Sequence, residues 1–377
     1  MHSLTSFLLA MILALAITPA PQSQSRKQLP PEEQMECGTV IPPGQLEAEL
    51  AGQNIAPLAL TPPTGTPYYL PLTIHMVRDS DGIQTGLSAK NLEKVMQNLN
   101  QMWRQVGIQF FIYGEVDNSI LNDNFFNLPN TLAQQDALRK VNNVPNTINV
   151  YFTNLQGNLA GLGTFTKNST QGILLNYSNM FENSTGIFRM EVFAHEMGHY
   201  FNLFHTHETA NGVECPSESN CSTAGDLLCD TPADPGLNQP LFVDANCVYT
   251  NMAPLPAGCG STPYSPSTRN LMSLARGDCR NEFTPGQIDK VLNTLRNDGK
   301  RKNLIDAKTR YVDRLASESN NSCTYAAPCR TLAKALQAAN DGDSIFLKRN
   351  TYNASSIGGK RLTLNQWGFE SGVLILP

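Results

Sequence analysis

The chain opens on an unbroken apolar run, FLLAMILALAI (Phe7 to Ile17), and then shows little hydrophobic periodicity until about residue 65. The run is too short to span a bilayer comfortably. Small residues and proline follow it in TPAPQSQS, so residues 1–20 are expected to be a secretory signal cleaved near Ala20. Its n-region departs from the usual pattern in holding His2 but no lysine or arginine, and the competing reading is an uncleaved anchor. Residues 21–65, rich in Pro, Gln, Gly and Ala, read as a pro-segment or linker.

From residue 66 the pattern changes. YYLPLTIHMVRD (Tyr68 to Asp79) predicts a strand, with His75 a hydrogen-bonded core histidine. SAKNLEKVMQNLNQMWRQVG then places Leu92, Val95, Met96, Leu99 and Trp103 at helical spacing, between an N-cap at Ser88 and a stop at Gly107. IQFFIYGEV and TINVYFTNL predict two further strands, separated by a helical segment around Thr131 to Lys140. GIFRMEVFAHEMGHYF (Gly186 to Phe201) predicts a helix with Ile187, Phe188, Val192 and Phe193 on its buried side. A last helix is marked by Thr284 before Pro285 and by Gly299 just past its end. Strands alternating with helices predict a mixed α/β layer.

Charge and composition narrow the partners only a little. A net charge of −5 with no basic run offers no footprint for nucleic acid or for an anionic membrane surface. Cysteine is more informative. Nine cysteines in an exported chain point to disulfides, six of them between Cys215 and Cys279, with Cys323 and Cys329 as a close pair. The pairing of the six cannot be read from spacing, and parity leaves one thiol, for which Cys37 is the candidate.

Four of the six histidines fall in HEMGHYFNLFHTH, residues 195 to 207. His195 and His199 stand at i and i+4, so on a helix their rings project from one face and reach a common ion. Glu196 beside them is turned away from direct ligation and placed for a general base. The bland alternative is a pair of surface or capping histidines. His205, six residues on, reaches the same ion only if the chain leaves the helix and doubles back through a left-handed residue. There a Cβ costs about 1–2 kcal/mol, and Asn is the most tolerant residue after glycine. Asn202 occupies that position.

HEMGHYFNLFH resembles the extended zinc motif of metzincin metallopeptidases, and its surroundings resemble the pappalysin–cytophagalysin family. GDLLCDTP (Gly225 to Pro232), NLMSLARGDCRNEFTPGQ (Asn270 to Gln287) and ECGTV (Glu36 to Val40) are each similar to a segment of that family. The resemblance implies an α+β fold: a metzincin-like mixed sheet, an active-site helix and a Met-turn at Met272, within a zinc-protease domain at 66–305. It implies His195, His199 and His205 as ligands of one catalytic zinc and Glu196 as the catalytic base, with a protein or peptide as substrate. It also implies calcium near Asp226, Asp230 and Thr231, for which ordinary loop hydrogen bonding is the alternative. One departure stands out. Leu274 occupies the position where the family has a tyrosine that stabilises the oxyanion, and losing such a donor costs roughly 2.7–4 kcal/mol.

Residues 306–377 resemble the opening of a right-handed parallel β-helix, with Thr331 to Ala339 as its short helix and Gly342 to Leu347 as a strand. With room for one or two rungs, the segment is expected either to be incomplete or to dock on the protease. The function expected is a secreted zinc endopeptidase; the alternative is a catalytically weak zinc- or carbohydrate-binding surface protein. Cys37 is expected to cap the zinc until the pro-segment is cut away, after Arg26 or Lys27 or further on; the competing reading is a disulfide to the body.

Overall fold

The computed structural model describes residues 36–52, 66–83, 87–180, 190–237, 242–250, 253–353, 359–368 and 373–376. The expected signal peptide and its cleavage point lie outside the described residues. Among the described residues no helix is long and apolar enough to cross a membrane.

In chain order the elements are β1 (Glu36–Cys37), α1 (Gln45–Gly52), β2 (Tyr68–Met76), α2 (Ala89–Trp103), β3 (Ile108–Ile112), α3 (Asp123–Phe126) and β4 (Asn127–Leu128). There follow α4 (Leu132–Leu138), β5 (Ile148–Leu155), β6 (Leu159–Leu162), β7 (Ile173–Asn176), α5 (Glu191–Tyr200) and α6 (Pro285–Asn297). The tail adds β8 (Thr309–Val312), α7 (Leu332–Ala338), β9 (Ser344–Lys348), β10 (Asn350–Asn353), β11 (Thr363–Trp367) and β12 (Val373–Leu376).

The main sheet runs β1-β6-β7-β5-β2-β3, with β4 paired to β5 off that path. Its pairings are parallel except β6 with β7. Both faces are covered, which is why β2 and β5 read as near-continuous apolar runs. Ile148, Val150 and Phe152 of β5 face a core shared with α2, α5 and α6, whereas Tyr151 and Leu155 face a second cluster with Phe126, Leu128 and Leu138. Helices thus interleave with strands, a mixed α/β arrangement and not the segregated layers of an α+β fold.

α2 forms as its spacing predicts: Leu92, Val95, Met96, Leu99 and Trp103 are its buried residues, and Ser88 caps its first turn by accepting from Asn91 N. A short 3-10 turn extends it to Gly107, whose φ of 73° ends it. α6 begins with a full capping box between Thr284 and Gln287. α1 was not anticipated, since residues 21–65 read as a linker; its only fully buried side chain is Gln45, so it carries little apolar periodicity. α5 is buried on every side, so its sequence shows no polar face.

In the tail, β8, β9 and β11 form one parallel sheet and β10 and β12 another. The tail docks on the main sheet through rings. Phe346 stacks on Tyr69 at 4.0 Å between centroids, Tyr325 stacks on Tyr68 at 4.3 Å, and Tyr325 Oη donates to Thr66 O.

Candidate metal centre

α5 lies directly on β6, and two glycines allow it. A Cβ at Gly163 would meet Glu196 O at 2.5 Å, and one at Gly161 would meet Glu196 Cγ at 2.6 Å. On the opposite side Gly198 leaves room for the Met272 sulfur. The helix therefore sits between a sheet edge and the Met272 loop, with His195, Glu196 and His199 each 1 % exposed or less.

The helix ends as the asparagine suggested. Asn202 has a φ of 66°, its N–H bonds His199 O at 2.9 Å, and Leu203 N bonds Gly198 O at 3.0 Å, which is a Schellman motif with Asn in the left-handed place. The Asn202 side chain accepts from Thr166 N and donates to Thr166 Oγ1, both at 3.0 Å, so the residue is held as well as tolerated. The chain then doubles back and delivers His205.

The three imidazoles converge. His199 Nε2 lies 3.1 Å from His195 Nε2 and 3.1 Å from His205 Nε2. Ligands about 2.0–2.1 Å from one tetrahedral ion stand about 3.3–3.4 Å apart, so the set fits a single zinc. His195 Nδ1 is 2.6 Å from Leu271 O and His199 Nδ1 is 2.7 Å from Leu203 O, which leaves the Nε2 atoms free to point inward. Burial lowers the pKa of all three rings, to about 4 for His199, and so keeps them neutral, the form that ligates.

Cys37 completes the cluster. Its Sγ is 3.4 Å from His199 Nε2, and the four candidate donor atoms all lie within 4.8 Å of one another. Cys37 is the free cysteine; the others pair as Cys215–Cys259, Cys221–Cys229, Cys247–Cys279 and Cys323–Cys329. Burial, then the charge of Glu196, pushes the thiol up.

Two residues away, Thr39 reaches the acid. Thr39 Oγ1 donates to Glu196 Oε2 at 2.8 Å, and Gly163 N donates to the same oxygen at 2.6 Å, while Oε1 is buried without a partner. Burial pushes the carboxyl up to about 7, against the bonds from Thr39, Cys37 and Gly163. Sequence reasoning missed Thr39 and Gly163; their contacts to Glu196 span 157 and 33 residues. It also missed a buried ion pair at the start of α5, Arg280 to Glu191 at 3.0 Å, whose guanidinium also donates to Ser273 O at 2.9 Å.

Other candidates fall as follows. His75 is a core histidine, bonded to Asp117 at 2.8 Å and Asn149 at 3.0 Å. His207 is half-buried, with its ring 4.9 Å from that of His205. Asp230 accepts from Thr284 Oγ1 and Gly286 N at the start of α6. Asp226 Oδ2 and both oxygens of Glu214 are buried without a partner. Leu274 is half-buried and offers no donor.

Residues 77–235 match metallo-peptidase family M12. The match takes in β5 to β7, α5 and His205. The chain is also 27 % identical over 271 residues to an extracellular metalloprotease of Pyricularia oryzae, covering 68 % of this chain and 83 % of that protein. An extracellular metalloprotease of Neurospora crassa is 25 % identical over 297 residues, covering 74 % and 93 %. Among solved structures, mature mirolysin of Tannerella forsythia in complex with a cleaved peptide aligns with a TM-score of 0.47 and 18 % identity, over 64 % of this chain and 96 % of that one. The family match and the extracellular relatives support a metallopeptidase, and the disulfides are consistent with secretion.

Proposed function

We propose that this chain is the precursor of a secreted zinc endopeptidase of pappalysin type, with His195, His199 and His205 as zinc ligands and Glu196 as general base. The observation that carries it is the convergence of three neutral imidazoles beside a buried carboxylate that has one unpartnered oxygen. Zinc in such a site supplies Lewis acidity toward a water and a peptide carbonyl. The protein supplies the rest. Glu196 takes the proton of the attacking water on Oε1 and returns it to the leaving amine. Gly163 N holds Oε2 and so aims that oxygen. Leu274 brings no donor to the oxyanion, so its stabilisation falls to other groups.

Cys37 and Thr39 make the described form latent. The thiol stands where a fourth ligand would stand, and the hydroxyl engages the base. The pro-segment is anchored well beyond them. β1 pairs with β6, Ile41 and Leu46 pack on Phe165, Phe204 and Leu227, and Glu49 pairs with Lys290 at 3.2 Å. A cut after Arg26 or Lys27 would leave these contacts in place on the same chain, so release of Cys37 requires a cut beyond Gly52. A calcium ion between Glu214 and Asp226 is part of this reading, supported by their three unpartnered oxygens. The tail is read as the first rungs of a parallel β-helix, on the strength of its two parallel sheets.

The test is hydrolysis of casein by the form lacking residues 1–65. Activity abolished by chelator and restored by stoichiometric zinc is the expected result; zinc-bound, folded protein without turnover would favour a binding role.

A further inference from the structure

The third converging imidazole is held differently from the other two. His195 and His199 are each oriented by a backbone carbonyl behind Nδ1, from Leu271 and Leu203. Among the described residues His205 has no such partner, and its hydrogen-bond-range neighbour is His199 itself. It also stands outside the helix, in an irregular stretch where no ladder fixes its backbone.

What fixes it is the next residue. Thr206 is 3 % exposed, and its N–H donates to Met272 O at 3.1 Å. Its hydroxyl donates to Asp234 Oδ2 at 2.5 Å. The other carboxylate oxygen, Oδ1, accepts from Gly236 N at 2.7 Å, so the acid is itself oriented. Asp234 ends a segment tied to the body at several points. Cys229 is bonded to Cys221, and Asp230 takes both the hydroxyl of Thr284 and the N–H of Gly286. The His207 ring packs on His205, 4.9 Å between centroids, and its charge acts on Asp234 as well.

We propose that Asp234 is a positioning residue for the metal site. By gripping Thr206 from a cross-linked loop, it fixes the backbone that aims His205. The segment after GDLLCDTP thereby acts as a clamp between α6 and the third ligand. The inference rests on the reading of His195, His199 and His205 as the zinc ligands, and it adds a residue to that site which touches neither metal nor substrate.

The test is zinc affinity of the full chain by competition with a chelator, together with the visible spectrum of the cobalt-substituted protein. Asp234→Ala and Thr206→Val are expected to weaken zinc about 10–100-fold, the range for loss of a group that orients a ligand, and to alter the cobalt bands. Thr206→Ser keeps the hydroxyl and is expected to match the parent in both. That rescue separates the hydrogen bond from general loop stability, and Thr206→Val does so without changing charge. Parent-like affinity and cobalt spectrum in both Asp234→Ala and Thr206→Val would overturn the inference. His205→Ala is the reference: if it retains zinc fully, the ligand assignment itself fails, whereas zinc lost there and kept in Asp234→Ala sinks only the role of Asp234.

Discussion

Asn202→Gly and Asn202→Ala together separate what the backbone asks of this position from what the side chain adds. At a φ of 66°, glycine pays no Cβ penalty, so on backbone grounds alone Asn202→Gly would be neutral or stabilising. The side chain argues the other way. It accepts from Thr166 N and donates to Thr166 Oγ1, and Thr166 is 5 % exposed, so truncation leaves a buried N–H unpaired. That costs about 1–3 kcal/mol, and the second bond adds about 0.5–1.5 kcal/mol. Glycine also raises the entropy of the unfolded chain, by about 0.4–1 kcal/mol. Relief of left-handed strain offsets about 1–2 kcal/mol at most, so Asn202→Gly is expected to cost about 1–3 kcal/mol net. Asn202→Ala gains no relief and keeps a Cβ in the left-handed region, so it is expected to cost more, about 2–5 kcal/mol. Urea denaturation of the oxidised, zinc-loaded protein by near-UV circular dichroism reads both, as a fall in midpoint at constant slope. A glycine variant as stable as the parent, or an alanine variant no worse than glycine, would refute the reasoning.

Three further outcomes are expected. Burial works against the Asp117 carboxylate, but bonds from Ser119, His75 and Asn142 outweigh it and hold its pKa well below the usual range. Its stabilisation is therefore present above about pH 4 and lost as pH falls; Asp117→Asn should cost about 1–3 kcal/mol at pH 7 and little at acid pH, checked by denaturation at both. Cys37 Sγ stands 3.4 Å from His199 Nε2 and Thr39 Oγ1 donates to Glu196 Oε2 at 2.8 Å, so Cys37→Ala combined with Thr39→Val should give an uncut precursor that hydrolyses casein; an inert precursor counts against the latency argument. Calcium should raise the melting temperature, by a stabilisation of about 2.7 kcal/mol at a hundredfold excess over its Kd, and Glu214→Gln should abolish the rise; an equal rise in that variant would remove Glu214 from the site.

Much of this was legible because local chemistry and tertiary demand agree. Ser88, Gly107 and Thr284 mark helix ends by satisfying orphan backbone groups, and those signals need no knowledge of the fold. Asn202 could be read as left-handed because only a doubling back lets His205 join a pair already set by helical spacing. The odd cysteine was legible by parity. What stayed hidden depends on distance in sequence. Thr39 is ordinary in its own neighbourhood, and its meaning comes from a carboxylate 157 residues away. The same holds for Glu214, whose place opposite Asp226 no motif announces, and for the disulfide partners of the loop. α1 escaped because it is held by a buried glutamine and a few flanking contacts, not by an apolar stripe.

The central claim is that three histidines hold one zinc and that Glu196 does the proton work beside it. Zinc content and casein hydrolysis, measured side by side on the form lacking residues 1–65, test it most directly. The account predicts one zinc per chain with activity in the parent, one zinc without activity in Glu196→Ala, and lost zinc in His205→Ala. Hydrolysis surviving in Glu196→Ala, or full zinc in His205→Ala, would contradict it.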